Sequence, residues 1–328
     1  MPALVSVIIP CYNAARYIDR SIKSVYEQDW QCIELIVVDD GSIDRSADCI
    51  HAWEPKFLLR DGYSLLYIHQ ENRGLGGAIK TALEYINGQY ISLLDADDRY
   101  MPTSISEKAK YLDDHPEQSI VRSNGYIVSG ERKWLFTYNA REKIGDLFEM
   151  LMHGETFNWA GSYMVRADVL LSFYKERAFY PSRFGQNLQI MIPVSYKNKS
   201  GFIDKPLMEY IRVENSLTKE RDPVRAKEKS VKNAYGYLDI REHIISTMKF
   251  EKEEEKKWLK IAKGIYNRRM LEIGIEYNDI QIIKKAKQQL KNLGQYTIED
   301  RILYYSTKNL YVCYILRIFR KLKSVWKE

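Results

Sequence analysis

Ile33-Glu34-Leu35-Ile36-Val37-Val38-Asp39-Asp40-Gly41-Ser42 is a short run rich in Ile and Val that ends abruptly in two carboxylates, a glycine and a serine. An apolar run of this length, closed by a turn signal, reads as a strand buried on both faces, as in a parallel sheet. The same form recurs on either side of it. Leu4 to Pro10 gives way to Tyr12-Asn13, Ser64 to His69 gives way to Gln70-Glu71-Asn72, and Gln89 to Leu94 runs into Asp95-Ala96-Asp97-Asp98. Helix-period segments separate these runs near Ala15 to Glu27, Ser42 to Trp53 and Gly76 to Tyr85. Strands alternating with helices predict βαβ units, and hence an α/β fold with a mixed, mainly parallel sheet flanked by helices. In such a sheet the carboxyl ends of the strands share the edge where ligands bind, so the four polar clusters are expected to converge on one crevice.

Beyond residue 130 the pattern changes. Residues 130 to 218 are aromatic and polar, with Asn158-Trp159-Ala160-Gly161-Ser162 and a short strand candidate at Gly201 to Ile203. They are expected to complete the same domain and to shape an acceptor pocket. From about Val224 the chain is rich in Lys, Glu and Tyr with helical periodicity, including Glu251 to Lys263 and Gln281 to Leu293. The expected division is an α/β domain over 1–219 and a helical, basic C-terminal subdomain over 220–328. Charge follows the same line: residues 220–328 carry 25 Lys and Arg against 15 Asp and Glu, net +10, while residues 1–219 carry 25 against 29, net −4. That excess fits a membrane or partner contact, or a solvated helical face.

The four cysteines, Cys11, Cys32, Cys49 and Cys313, form no C-x-x-C pair, which argues against a disulfide framework or a zinc site and favours a reducing cytoplasm. The first ten residues lack a basic leader and break at Pro10, so they read as a strand and not as a signal peptide. No stretch is long and apolar enough to span a bilayer. The five histidines show no metal-ligand spacing.

Chemistry concentrates in the clusters. Asp95 and Asp97 lie on one side of an extended chain at a strand end, and a hard cation such as Mg²⁺ or Mn²⁺ takes one or two carboxylates together with phosphate oxygens. A helix cap before Pro102 is the alternative use of such a cluster. Asp39 and Asp40 can accept hydrogen bonds from a base or a ribose, or can serve as caps. Asn72-Arg73-Gly74-Leu75-Gly76-Gly77 opens a helix with Lys80 one turn inside it, an anion-facing start. It is not a P-loop, because Ile79 stands where glycine is required before Lys80-Thr81. Nor is there a dinucleotide fingerprint, because Pro10-Cys11-Tyr12-Asn13 occupies the first strand's turn.

Taken together, Val5 to Asn13, Glu34 to Ser42 with Asp44, Asn72-Arg73-Gly74, and Gly88 to Asp98 with Pro102 resemble a family 2 glycosyltransferase of the GT-A fold, of the bacterial surface-polysaccharide type. The resemblance covers the first hundred residues closely, residues 130 to 218 loosely and the C-terminal third hardly at all. It implies an inverting, metal-dependent transferase moving a hexose or N-acetylhexosamine from a UDP-sugar to a hydroxyl of a saccharide or lipid-linked saccharide, with no nucleic-acid partner. Pro10, Tyr12 and Asn13 would line the nucleotide pocket, and Asp40, with Asp39 beside it, would contact the uracil. Asn72 and Gly74 would lie along the donor. Asp97 would be the principal ligand of Mn²⁺ or Mg²⁺, with Asp95 near the ribose or the metal.

Two departures stand out. Where the family often has an Arg-Asn pair, this chain has Ile79-Lys80, and Lys80 offers its charge to the phosphates instead. Where inverting members carry an acidic pair whose Asp is the base, this chain has Gln186-Asn187, and amides are not general bases at neutral pH. Glu155 or Asp168 could serve as base, Gln186 and Asn187 could orient the acceptor, or the chain could bind a nucleotide sugar without turning it over. A nucleotidyltransferase would need a Gly-rich basic loop after the first strand, and Cys11-Tyr12-Asn13 is not one. Finally, Leu310 to Trp326 mixes aromatic, aliphatic and basic residues at helical spacing, the composition of an interfacial helix on an anionic membrane or of a helix packed on its own domain. The first use would make the protein peripheral on the inner face of the plasma membrane.

Overall fold

The computed structural model describes residues 2–136, 138–175, 179–212 and 222–306 of the 328. The expected boundary at 219/220 and the segment 310–328 lie outside the described residues. Two compact units form, Met1–Leu151 with Glu155–Glu214, and Met152–Gly154 with Asn215–Glu328.

The first unit is built on β1 (Val5–Cys11), β2 (Ile33–Asp39), β3 (Tyr63–His69), β4 (Tyr90–Leu93), β5 (Arg99–Tyr100), β6 (Gln118–Ser129), β7 (Arg132–Leu135), β8 (Tyr163–Arg166) and β9 (Lys199–Ile211). Sheet order is β3-β2-β1-β4-β8-β6-β9-β5, with β7 paired to β6. β1, β2, β3 and β4 run parallel, as do β6 and β9, while β8 is antiparallel to both β4 and β6. This is the α/β, mainly parallel, helix-flanked sheet that the alternating pattern predicts. All residues of β1, β2 and β4 are buried, as continuous apolar runs require. β3 has only one neighbour, β2, and its residues are mostly exposed or half-buried.

Three expectations shift on contact with the structure. The helix expected over Ser42 to Trp53 is shorter, Ser46–His51, and a second helix that was not expected, Glu54–Leu58, follows it. Pro55 explains the break, since it has no N–H and its ring would collide with the carbonyl one turn back. The short strand at Gly201 to Ile203 is part of the 13-residue β9, paired with β6 along its length through several register shifts. Its mixture of charged residues with Pro206 hides the strand period, and those irregularities accommodate the proline. The helices begin and end a few residues from the expected positions, at Ile18–Tyr26 and Leu75–Leu83.

The second unit contains the helices Pro223–Thr247, Lys252–Glu276, Ile280–Asn292 and Ile298–Ser306. Asp222 and Asp279 cap the first and third through backbone N–H groups of Arg225 and of Gln281 and Ile282. Leu271, Ile283, Ala286 and Leu290 form a core. Among the described residues no helix is long and apolar enough to cross a membrane.

One buried charge in the first unit has a measurable consequence. Lys108, on the helix Ser104–Asp114, is fully buried and donates to Ser104 Oγ (2.9 Å) and to the Gly161 carbonyl (2.5 Å). Burial pushes its ammonium down to about 7 from an ordinary 10.5. The folded chain therefore binds fewer protons than the unfolded chain between these values, so the contribution of Lys108 to stability rises with pH, by roughly 1.4 kcal/mol per unit. Lys108→Met is expected to flatten the slope of unfolding free energy against pH between 7 and 9.5, measured by denaturant titration at each pH.

Candidate functional site

Pairing in register sets the ends of the parallel strands side by side: Cys11 opposite Asp39, and Asp39 opposite His69. The Leu94 N–H donates to the Ile8 carbonyl (3.0 Å), which brings Asp95 out beside β1 at the same edge. Pairing of β1 with β4 stops at Ile8 and Leu93. Pro10 therefore falls where β1 no longer has that neighbour and its missing N–H leaves no gap in the ladder. Tyr12 follows, half-exposed at the rim.

Asn13 is held in a left-handed turn (φ 49°) by exchange with the loop after β2. Its N–H donates to Ser42 Oγ (2.9 Å) and its Oδ1 accepts from the Ile43 N–H (2.9 Å). Asp44 Oδ2 accepts from the Ala15 N–H (3.1 Å), and Ser46 Oγ accepts from the Ala14 N–H (2.8 Å). The Asn13, Ser42 and Asp44 signals in the sequence thus fasten two site loops together.

Asp39 and Asp40 are both buried, and their oxygens are engaged. Asp39 accepts from the Ser42 N–H (2.8 Å) and from the Tyr67 hydroxyl (3.0 Å), with His69 Nδ1 at 3.4 Å. Asp40 accepts from Gln70 Nε2 (2.6 Å) and from the N–H groups of Arg73 (2.8 Å) and Gly74 (2.7 Å). In this arrangement Asp40 clamps the loop after β3. Gly74 adopts φ +78°, and a Cβ there would stand 2.6 Å from the Arg183 side chain. Arg183 in turn donates to Asn72 Oδ1 (2.8 Å), and the Gly76 N–H donates to the Ser182 carbonyl (2.9 Å). The glycines of this loop therefore admit the chain at 182–183. Lys80 is half-buried on the same helix and has no ion pair among the described residues.

The Asp95 to Asp98 turn is gripped by the helix Ile18–Tyr26, an anchor with no signal in the local sequence. Arg20 Nη2 donates to the Asp97 carbonyl (2.5 Å), and the Ser21 hydroxyl reaches the carbonyls of Ala96 (2.8 Å) and Asp98 (2.6 Å). Ser21 lies on the buried face of this helix with Ile18, Ile22 and Val25, and Arg20 beside it looks like a solvent charge until the turn is placed against it. Burial, and then the charge of Asp97, push the Asp95 carboxyl up to about 7. Burial also raises Asp97, against the pull of its own backbone N–H and of Arg20. Asp98 is fully buried, accepts from the Ile211 N–H (2.8 Å) and is raised well above its usual range by burial and by Asp95 and Asp97. Its Oδ2 has no hydrogen-bond partner.

Crowded carboxylates with raised proton affinity and an unsatisfied oxygen suit a divalent cation that takes its remaining ligands from a diphosphate. Among the described residues no three His, Cys, Asp or Glu side chains converge into a ready-made cation cage.

Gln186 and Asn187 begin the helix Gln186–Ser195 after Gly185. Asn187 Oδ1 accepts from the Tyr163 hydroxyl (2.8 Å), and its Nδ2 donates to the Asn158 carbonyl (3.0 Å). Tyr163 feels the charge of Asp95, so Asn187 joins the carboxylate edge through it. Among the described residues Gln186 makes no side-chain hydrogen bond. Asp168 follows β8, whose Arg166 pairs with Tyr90 at the start of β4, so it lies at the far edge of the sheet from Asp95. Its Oδ1 accepts from the Val169 N–H (2.8 Å). Glu155 is paired with Arg141 (2.8 Å). Aromatic rings gather nearby: Trp159 stacks on Phe136 (3.8 Å between centroids) and contacts Phe157 and Tyr210, and Tyr210 feels Asp98, Asp97 and Asp95.

Parallel strand ends that share one edge, with a carboxylate turn beside them, are the layout of a GT-A-type fold. Solved structures share it. TarS 1–349 of S. aureus in complex with UDP-GlcNAc aligns at TM-score 0.54 and 17% identity, over 89% of this chain and 93% of that one. The mannosyltransferase PcManGT from Pyrobaculum calidifontis, in complex with GDP-Man and Mn²⁺, aligns at TM-score 0.55 and 16% identity, over 98% and 81%. The family model for glycosyl transferase family 2 matches residues 6–172, half of the sequence, and the chain belongs to that family. An uncharacterized glycosyltransferase of Rickettsia felis is 33% identical over 129 residues, 39% of this chain and 20% of that protein. Glycosyltransferase GlyA of Streptococcus pneumoniae is 27% identical over 191 residues, 55% of this chain and 25% of that protein. The matched stretch thus spans a fifth to a quarter of these two relatives.

Asp40→Ala removes one charged acceptor from three donors and leaves two backbone N–H groups without it. It is expected to cost about 3 kcal/mol of stability, read as a lowered denaturant midpoint with the cooperativity unchanged.

Proposed function

We propose that this chain is an inverting glycosyltransferase that moves a hexose or N-acetylhexosamine from a UDP-sugar to a hydroxyl of a saccharide or lipid-linked saccharide in surface-polysaccharide assembly. The observation that carries the reading is the meeting, at one sheet edge, of the loops after β1 and β2 with the Asp95 to Asp98 turn. The neighbouring structures with UDP-GlcNAc or GDP-Man support a nucleotide-sugar donor, and PcManGT's Mn²⁺ supports a divalent cation.

In this reading Pro10, Tyr12, Asn13 and Asp39 line the nucleotide side, and Asp40 acts by holding Asn72 and Gly74 along the donor. Lys80 lends its charge to the phosphates, and Asp97 with Asp95 would hold Mn²⁺ or Mg²⁺. When bound, such a cation offsets the charge that grows on a departing diphosphate. Asn187, pinned by Tyr163 and Asn158, and the unengaged amide of Gln186 orient the acceptor hydroxyl. The first unit carries the chemistry, and the basic second unit serves membrane or partner contact, placing the enzyme at the cytoplasmic face of the plasma membrane.

The test is a panel of UDP-sugars and GDP-mannose incubated with the purified chain and Mn²⁺. Release of nucleoside diphosphate from one donor, lost with a chelator, is expected. Tight donor binding with no release, even with lipid-linked acceptors present, would instead favour a binding protein, the reading that the Gln186-Asn187 amides motivate. Asp97→Ala is expected to lower metal-dependent release by at least a hundredfold, about 2.7 kcal/mol, with the thermal midpoint retained.

A further inference from the structure

Arg122, on β6, is fully buried, and among the described residues no carboxylate forms an ion pair with it. Its Nη2 donates to the Glu142 carbonyl (2.6 Å), while among the described residues Nε and Nη1 have no partner. Glu142's charge acts on the guanidinium without an ion pair, and its carboxylate accepts from the Asn139 N–H (3.0 Å), while that of Asp204 is taken by Lys143 and Asn124. Phe202 packs against the guanidinium at 5.5 Å, and Tyr138 lies within reach of its charge.

Asn158 stands on the other side of that tyrosine. It is 3% exposed, and its Oδ1 accepts from the Tyr138 hydroxyl (3.3 Å). Its Nδ2 has no partner. Around one hydroxyl, then, the fold gathers buried N–H donors, one set of them on a charged group, that have no acceptor among the described residues. Buried donors are ordinarily satisfied, and a buried cation is ordinarily paired. Donors alone, with a positive charge among them, are the chemistry that receives an anion.

Position says which anion. The Asn158 carbonyl accepts from Asn187, so the cluster adjoins the start of the helix assigned to the acceptor. The Tyr138 hydroxyl also reaches the carbonyl of Phe157 (3.2 Å), whose ring is 56% exposed. We propose that Arg122 and Asn158 form an anion subsite that takes a carboxylate or phosphate group carried by the acceptor saccharide. The identity of the occupant rests on the transferase reading, whereas the subsite itself does not.

Thermal unfolding of the full chain, titrated with sodium formate or inorganic phosphate at constant ionic strength, tests the subsite without turnover. The wild-type midpoint is expected to rise by about 3 °C or more across a hundredfold titration, and that of Arg122→Met to stay flat. Asn158→Asp keeps the oxygen that receives the Tyr138 hydroxyl and sets a second one in place of the unpaired amide. It should raise the midpoint without added anion and abolish the titration, and it decides the matter if Arg122→Met does not fold. Equal slopes in all three proteins, or a lowered midpoint in Asn158→Asp, would overturn the subsite. A uronate-bearing disaccharide that competes with formate, where its neutral counterpart does not, supports the acceptor as the source; formate binding that neither sugar disturbs overturns that assignment. Because unfolding is the readout, the subsite is tested even in a chain inactive on every donor.

Discussion

Parallel pairing of β1 with β2 and β4, and of β2 with β3, is the constraint on which the site depends. Seven consecutive register pairs join β1 to β2, and seven more join β2 to β3, which fixes Cys11, Asp39 and His69 in one row. Side chains in a sheet alternate faces with a period of two, so slipping any of these strands by one residue would exchange the side chains of its two faces and undo the packing on both. Because β1 and β2 are buried throughout, that slip is costly, and the polar residues just past the strand ends have no choice of position. The loops are then tied to each other. Asn13 binds the loop after β2, and Asp40 binds the loop after β3. The helix Ile18–Tyr26 binds the turn after β4.

Electrostatics at this edge runs against ordinary stability. Asp95, Asp97 and Asp98 crowd one turn, and burial raises the proton affinity of all three. A sheet edge selected only to fold would not concentrate like charge where water is excluded. Opposed to them stands Arg20, whose guanidinium holds the turn's backbone and gives up hydration to do so.

Much of this was legible in the sequence, for definite reasons. Continuous apolar runs such as Ile33 to Val38 announce buried parallel strands, and the Asp and Asn residues behind them announce the edge. Only Gly201 to Ile203 of β9 was legible, because an outlying strand with charged residues, Pro206 and irregular pairing has no clean period. The expected helix stopped at Trp53, short of Pro55, and the helix Glu54–Leu58 that contains this proline carried no signal of its own. Within the site, the glycines at 74 and 76 suggested an anion cradle, but the structure brings Arg183 and Ser182 against them, a contact between segments a hundred residues apart that no local pattern encodes. Arg122 was invisible for the opposite reason: a single Arg within β6 looks like any half-exposed strand charge until the strand is found buried without a counter-ion.

Binding of Mn²⁺ followed by its electron paramagnetic resonance signal, with and without UDP, bears most directly on the claim that this edge holds a nucleotide sugar. Asp95 and Asp97 supply too few ligands for a tight cation site of their own, so the diphosphate must complete it. The account predicts weak Mn²⁺ binding to the chain alone and binding at least tenfold tighter when UDP is present. Mn²⁺ affinity indifferent to UDP would contradict it.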